Sequence, residues 1–114
     1  HACSPEKVTV VGCGEVRRAP CGNHWMKDGE TWSATPNITV TAIATPCHTD
    51  DHVCFMLTGT KFKAPVLFSG DTLFVGGCGK FFEGTSADMN HALSKISSLR
   101  VDTMLFPGHE YTVC

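Results

Sequence analysis

The pattern of apolar and polar positions along the chain predicts a small sheet of short strands. Residues Ile38–Ala44 alternate apolar side chains with small or polar ones, as a strand with one buried face does. Four other short segments are apolar or β-branched and end at turn residues, namely 8–11, 53–57, 66–68 and 103–106. We expect each of them to form a strand, the first one stopped by Gly12.

After Gly84 the period of the apolar positions changes to that of a helix. Thr85 and Asp88 have the spacing of a capping box, which predicts that the helix begins here. The apolar residues that follow share one helical face, namely Met89, Ala92, Leu93, Ile96 and Leu99. We expect this face to cover the sheet, with His91 and Lys95 on the polar face and His91 solvated.

Residues 15–37 contain several Pro and Gly residues and have no sustained period, so we predict that they are mostly loop and turn. The clearest turn signal in this segment covers residues 27–30. His24 lies in the predicted loop beside Trp25. We interpret it as a surface histidine packed on an aromatic neighbour, the alternative being a ligand.

Length and charge narrow the class of protein. At 114 residues the chain fits one small domain. Its net charge is -2 and its Lys and Arg residues are scattered, which argues against binding to nucleic acid or to an anionic membrane. No apolar run approaches the roughly 20 residues of a membrane helix, and the start lacks a signal-peptide pattern. We predict a soluble, cytoplasmic protein, with a mitochondrial location as the alternative. The first residue is His1, which suggests a processed product, a fragment or an edited sequence.

The seven cysteines are many for this length, but their number is odd and none forms a C-x-x-C pair. A zinc ribbon or a thioredoxin-type motif is therefore disfavoured. Several of the cysteines lie in apolar runs, where free thiols act as small hydrophobic side chains. We predict reduced thiols, the alternative being the disulfide framework of a secreted protein.

Three of the predicted strands end in a loop that carries a potential metal ligand. His48 follows the strand at 38–44, Asp71 the one at 66–68, and His109 the one at 103–106. Neighbouring strands of one sheet would bring these ends together, and two imidazoles with a carboxylate suit zinc, iron or manganese. The alternative is a plain turn at Gly70 and Asp71, and the spacing alone leaves both open.

Three segments carry a resemblance to a known family. They are TPCHT at 45–49, GDTLFVGGCGKFFEG at 70–84 and GHEYT at 108–112. In this order they resemble glyoxalase II, the hydroxyacylglutathione hydrolases of the metallo-β-lactamase superfamily, and the long middle segment is the most specific. The resemblance runs from about Val8 to Val113. It implies an α/β fold, the αββα sandwich of the superfamily, of which residues 1–114 would be an incomplete portion with several strands and one amphipathic helix.

The resemblance also implies a binuclear site, usually zinc, with iron or manganese as alternatives. His48 would bind one ion, Asp71 would bridge both and so take part in catalysis, and His109 would bind the other. The reaction would be hydrolysis of S-(2-hydroxyacyl)glutathione thioesters, such as S-D-lactoylglutathione, to glutathione and a 2-hydroxy acid. The ions would activate a bridging water and polarise the thioester carbonyl.

Four residues would bind the glutathione part of this substrate. Lys80, with Phe81 and Phe82 beside it, would hold glutathione from one side, and Tyr111 would bond to it from the other. Without the resemblance, Lys80 would be an ordinary solvated lysine. Phe82 stands where the family often has tyrosine, which removes one expected hydrogen bond to the substrate.

Two departures from the family pattern qualify these expectations. The family's H-x-H-x-D-H ligand motif and its helical C-terminal part are absent from the sequence, so we expect a central portion of such a protein. His52, Asp51 or His24 could replace the missing ligands, although a structural role suits His52 better. The alternative functions are a catalytically inactive, truncated form that acts as a binding or regulatory module, and another enzyme of the superfamily such as a persulfide dioxygenase.

Half a sandwich would also expose strand edges and one apolar sheet face. Such surfaces favour association with another chain. We therefore predict self-association or a partner chain.

Overall fold

The described part of the chain forms one five-stranded sheet, a separate pair of short strands and one helix. The computed structural model describes residues 11–13, 24–49 and 51–109, with the side chains of residues 12 and 13 excepted. In chain order the elements are β1 (Val11–Cys13), β2 (His24–Met26), β3 (Thr31–Thr35), β4 (Ile38–Ala44), β5 (Val53–Gly59), β6 (Val66–Gly70), α1 (Ser86–Ser97) and β7 (Met104–Pro107).

The strand directions place the ends of three strands at one edge of the main sheet. The spatial order is β3-β4-β5-β6-β7, with antiparallel neighbours as far as β6 and a parallel pair at β6 and β7. Because β4 and β6 each run opposite to β5, the strands β4, β6 and β7 all point the same way. Their carboxyl ends therefore lie at the same edge, where β5 begins.

The core lies where β4 faces β2. Val40 and Ala42 point to this side as alternate residues of β4, and they pack with Met26. Ala42 is fully buried, so the alternation that predicted this strand also selects its buried face. The partly buried side chains around this centre come from β1, β3 and β5, namely Val11, Trp32, Val53, Phe55 and Leu57.

Helix α1 begins at the predicted capping box. The Thr85 hydroxyl accepts a hydrogen bond from the Asp88 backbone N–H, and the Asp88 carboxylate accepts one from the Thr85 N–H at 2.9 Å. Met89 and Ala92 are buried on the predicted face, whereas Leu99 lies beyond the end of the helix. The helix prediction is thus confirmed, with an earlier end.

On the polar face of the helix, His91 is exposed as expected, whereas Lys95 is half-buried and makes specific contacts. Lys95 Nζ donates to the Ala44 carbonyl at 2.8 Å and to Asp28 Oδ2 at 3.1 Å. Asp28 in turn accepts a hydrogen bond from the Ala44 N–H, which lowers the pKa of its carboxyl together with Lys95. These partners lie 51 and 67 residues away, so no local pattern could indicate them.

Residues 15–37, predicted to be mostly loop and turn, contain the two strands β2 and β3, which the sequence did not predict. Strand β3 has no apolar period because it is an edge strand, in which Trp32 alone is half-buried and the other four residues are exposed. Its pairing with β4 defines it instead. His24 lies in β2, half-buried, and stacks on Trp32 at 4.2 Å between ring centroids, so its aromatic partner is Trp32. The turn at 27–30 is confirmed, with Gly29 at a φ of 80°.

Strand β1 also departs from its predicted bounds. It continues through Gly12 to Cys13, where the sequence predicted a stop. The backbone of β1 pairs in parallel with β2, and this pairing supports a glycine within the strand. Residues 8–10 of the predicted strand lie outside the described part of the chain.

The described cysteine side chains, Cys47, Cys54 and Cys78, are free thiols, as predicted. Burial raises the pKa of the Cys47 and Cys54 thiols, so both are protonated at neutral pH. Within the described ranges, no helix is long and apolar enough to cross a membrane.

An apolar patch at the β6–β7 side of the sheet is exposed. Phe68 and Phe106 are 44% and 47% exposed, and their ring centroids lie 5.5 Å apart. Met104 of β7 is 55% exposed. Exposed apolar surface was expected here, and association through it stays a prediction.

The helix cap gives a first test of this fold. We expect Thr85→Ala to lower the free energy of unfolding by about 1 kcal/mol, because the Asp88 N–H loses its acceptor. Thr85→Ser keeps the hydroxyl and should keep most of the stability. Ser94→Ala is the matched control, since Ser94 lies within the helix and donates only to the Asn90 carbonyl. Equal urea midpoints for Thr85→Ala and Ser94→Ala would contradict the role of the cap.

Light scattering tests the exposed patch. We expect the average mass of the chain to rise above that of one copy as concentration increases, and Phe68→Ser with Phe106→Ser to suppress the rise. Val101→Ser is the control, because Val101 is fully exposed but lies in the turn between α1 and β7. A constant monomer mass at high concentration would remove the prediction of self-association.

Candidate metal centre

The three predicted ligands meet at the sheet edge where β4, β6 and β7 end. His48 Nε2 lies 3.1 Å from Asp71 Oδ2, and His109 Nε2 lies 3.4 Å from Asp71 Oδ1. The aspartate thus stands between two imidazoles, with one ring at each carboxylate oxygen. The alternative of a plain turn at Asp71 explains neither contact.

Backbone hydrogen bonds tie Asp71 to the loops around it. The Asp71 carbonyl accepts from the Gly79 N–H at 2.7 Å, and the Gly70 carbonyl accepts from the Gly108 N–H at 2.8 Å. A Cβ atom on Gly79 would lie 2.5 Å from the Asp71 carbonyl oxygen and 2.7 Å from His48 Nδ1. Only glycine lets this loop lie against both residues, which accounts for the glycine-rich segment after Asp71.

The orientation of His48 suits a metal ligand. Its Nδ1 lies 2.7 Å from the Lys80 carbonyl, which can only accept a hydrogen bond, so this nitrogen carries the proton. In the neutral ring the Nε2 lone pair then faces Asp71 Oδ2. Two lone pairs at this distance repel each other unless a metal ion or a proton lies between them. An Nδ1–H that donates to a backbone carbonyl is also the usual arrangement of a histidine bound to metal.

The Asp71 carboxylate also needs a partner, at its oxygen Oδ1. Its Oδ1 is buried, and no group in the described part of the chain donates a hydrogen bond to it. A buried acceptor left without a partner costs about 1–3 kcal/mol. The separations of 3.1 and 3.4 Å resemble the spacing of about 3.3 Å between two ligands of a tetrahedral zinc with bonds of 2.0–2.1 Å. The donor set therefore fits a divalent cation at each oxygen.

The described residues do not complete such a site by themselves. Within residues 11–13, 24–49 and 51–109, no group of three or more His, Cys, Asp and Glu side chains is arranged to hold one ion. Each Asp71 oxygen has one imidazole beside it, whereas zinc takes four ligands, at least three of them usually from protein.

The proposed replacement ligands do not fill this gap. Both ring nitrogens of His52 are engaged, because Nε2 accepts from the Asp71 N–H at 3.1 Å and Nδ1 contacts the Thr72 hydroxyl at 2.8 Å. Burial, and then the nearby His48, lower the pKa of His52, so its ring is neutral. His24 is stacked on Trp32, and Asp51 is exposed. A structural role for His52, which the sequence favoured, fits these contacts.

A cavity of about 560 Å³ opens beside the two histidines and Asp71. Its size suits a small-molecule ligand. Lys80 and Phe82 line it, and the Lys80 Nζ lies 5.3 Å from the Phe82 ring centroid. Phe82 also packs edge-on against His48 at 5.0 Å.

The other two predicted substrate residues are not among the described residues that line the cavity. Phe81 is 40% exposed. Tyr111 lies outside the described residues. Three side chains that line the cavity were not predicted from the sequence, namely Phe74, Val75 and Cys78. They lie between Asp71 and Lys80 in one loop, and this position could have indicated their place at the cavity.

Curated relatives match most of this chain. It is 47% identical over 106 residues to a probable hydroxyacylglutathione hydrolase of Schizosaccharomyces pombe, covering 92% of this chain and 39% of that protein. The cytoplasmic hydroxyacylglutathione hydrolase of Arabidopsis thaliana is 42% identical over 89 residues, which cover 77% of this chain and 34% of that protein. The mitochondrial hydroxyacylglutathione hydrolase of Saccharomyces cerevisiae is 45% identical over 82 residues, which cover 67% of this chain and 29% of that protein. The chain thus spans about two fifths or less of these relatives' length.

Solved structures share the fold. ETHE1 from Myxococcus xanthus superposes with a TM-score of 0.75 at 30% identity, covering 95% of this chain and 45% of that one. A metallo-β-lactamase from Staphylococcus aureus gives a TM-score of 0.73 at 26% identity, covering 92% and 34%. No family model matches the chain. Over most of its length the chain is thus similar to curated hydroxyacylglutathione hydrolases (glyoxalase II), and it shares the fold of metallo-β-lactamase superfamily structures.

Proposed function

We propose that the protein containing this chain hydrolyses S-(2-hydroxyacyl)glutathione thioesters, such as S-D-lactoylglutathione, to glutathione and a 2-hydroxy acid. The observation that carries the proposal is the Asp71 carboxylate, with one imidazole at each oxygen, facing a cavity of ligand size. The names of the curated relatives support the same chemistry. A cytoplasmic location belongs to this proposal, with a mitochondrial one as the alternative, since the relatives include one of each.

The proposed metal site is binuclear, with zinc as the expected metal and iron or manganese as alternatives. His48 would bind one ion, His109 the other, and Asp71 both. Bound ions would supply a water with a pKa near neutral and polarise the thioester carbonyl. The chain itself would orient the ligand, because the Lys80 carbonyl holds the His48 ring so that the lone pair of Nε2 is directed toward the ion. An aspartate suits the shared place because its short, ionised side chain offers two oxygens from a fixed backbone.

Lys80 and Phe82 would bind the glutathione part of the substrate. Lys80 is exposed at the cavity, and a lysine there attracts a peptide carboxylate. Phe82 would offer an apolar contact without the hydrogen bond of a tyrosine. Phe81 has no such place beside the cavity, and the role of Tyr111 stays a prediction.

A catalytically inactive binding or regulatory module is the second candidate. One observation favours it: the described residues provide three ligands in total, too few to hold two ions well. The third candidate, a persulfide dioxygenase, would be indicated by a single bound iron and by turnover of glutathione persulfide.

Metal retention tests the proposed ligands. We expect Asp71→Asn to weaken zinc binding by more than the roughly 100-fold that loss of an outer hydrogen-bond partner costs, because one change removes the shared charge. Affinity is measured by competition with a chromophoric chelator, and stoichiometry by elemental analysis after exposure to zinc and iron. Asp102→Asn is the matched control, since Asp102 forms a surface ion pair with Arg100.

The stoichiometry of the wild-type chain separates the first two candidates. Close to two ions per chain would favour an active hydrolase, and little or none would favour the inactive module for this chain. Equal zinc affinity in Asp71→Asn and Asp102→Asn would remove Asp71 from the site.

Steady-state kinetics test the substrate site in the hydrolase. We expect Lys80→Met to raise KM for S-D-lactoylglutathione about tenfold with little change in kcat, since the lost charge contacts substrate and transition state alike. Lys63→Met is the control, because Lys63 lies exposed in the connection between β5 and β6. An unchanged KM, or a loss confined to kcat, would contradict this role.

A further inference from the structure

A cluster of buried, hydrogen-bonded polar side chains contacts the Asp71 backbone and has no role in the proposed reaction. The Thr45, Thr72 and Cys54 side chains are fully buried. The two threonine hydroxyls lie against the ring of His52, and the Cys54 thiol contacts the Thr45 hydroxyl. His52 precedes β5, so it lies at the same sheet edge as the candidate metal ligands. Buried polar groups are costly unless each finds a partner, so their arrangement needs an explanation.

The hydrogen bonds of this group have a single consistent direction. A backbone N–H can only donate, so His52 Nε2 accepts from the Asp71 N–H at 3.1 Å. The proton of the neutral ring is therefore on Nδ1, which lies 2.8 Å from Thr72 Oγ1 and 3.0 Å from Thr45 Oγ1. Thr72 then donates to Thr45 at 3.1 Å. His52 is thereby fixed in one tautomer and one orientation.

These contacts hold the Asp71 backbone from both sides. Its N–H is bound by His52, and its carbonyl is bound by the Gly79 N–H at 2.7 Å. The carboxylate oxygen Oδ1, by contrast, accepts no hydrogen bond from any described group. The direction in which the side chain leaves the backbone therefore decides where its two oxygens point.

Gly70 makes room for this arrangement. A Cβ atom there would lie 2.8 Å from His52 Nε2, and the residue has a φ of 53°, which disfavours other residues. The end of β6 is thus shaped to admit the His52 ring beside the Asp71 N–H.

We propose that His52 is a positioning residue, which holds the Asp71 backbone so that one carboxylate oxygen faces His48 and the other faces His109. This inference rests on the proposed metal site, because its consequence is the affinity of Asp71 for a cation. His52 itself touches neither metal nor substrate.

Two substitutions separate positioning from packing. A glutamine can place an amide oxygen near the site of Nε2, whereas an asparagine reaches only the site of Nδ1. We expect His52→Asn to weaken zinc binding by roughly 10- to 100-fold, as loss of an outer partner of a metal ligand does. His52→Gln should stay close to wild type. His91→Asn, on the exposed face of α1, is the control and should have no effect.

A second measurement needs no metal. Long-range nitrogen–proton NMR of the zinc-free chain should find His52 protonated at Nδ1 and unprotonated at Nε2. His52→Asn should shift the Asp71 amide resonance, and His52→Gln should largely restore it. The protonated Nε2 form, or equal losses in the Gln and Asn variants, would overturn the proposal.

The two readouts also distinguish the inference from the function on which it rests. Wild-type chain that binds no zinc, in the presence of the expected tautomer and amide shift, counts against the metal site and supports the positioning of Asp71. Wild-type binding that His52→Asn leaves unchanged counts against His52 alone.

Discussion

A carboxylate that must present its two oxygens to two different partners depends on a fixed backbone. Asp71 is held in this way by the His52 ring on its N–H and by Gly79 on its carbonyl, while His48 and His109 approach the side chain. The sheet supplies the setting, because three strands that run in one direction end at the same edge. Strand direction therefore brings the residues of the candidate site to one edge, and the loop contacts then set their orientation.

The glycine-rich loop connects this edge to the cavity. The Gly79 N–H binds the Asp71 carbonyl, and the Gly84 N–H binds the Cys47 carbonyl at 2.8 Å, so the loop is fastened next to two of the strand ends. A Cβ atom on Gly84 would lie 2.5 Å from the Cys47 Cα. Close backbone contact at both places leaves the segment between them to line the cavity.

Features set by local pattern were predictable, and features set by distant contacts were not. Strand β4 and the cap of α1 follow from alternation and from the Thr85–Asp88 spacing, both of which are local. Strand β3 could not be predicted, since it is an exposed edge strand that depends on its pairing with β4. The convergence of His48, Asp71 and His109 was predictable because each follows a recognisable strand. The engagement of both His52 nitrogens was not, because its partners come from two other segments of the chain, at Thr45 and at Asp71–Thr72.

Lys80 joins the two halves of the candidate site through different parts of one residue. Its carbonyl accepts from His48 Nδ1 and so sets which nitrogen faces Asp71, while its side chain lies at the cavity near Phe82. Because the contact to His48 belongs to the backbone, a change of the Lys80 side chain leaves the ligand's orientation in place. The side chains of the loop can therefore change the lining of the cavity, while its backbone continues to orient the His48 ring.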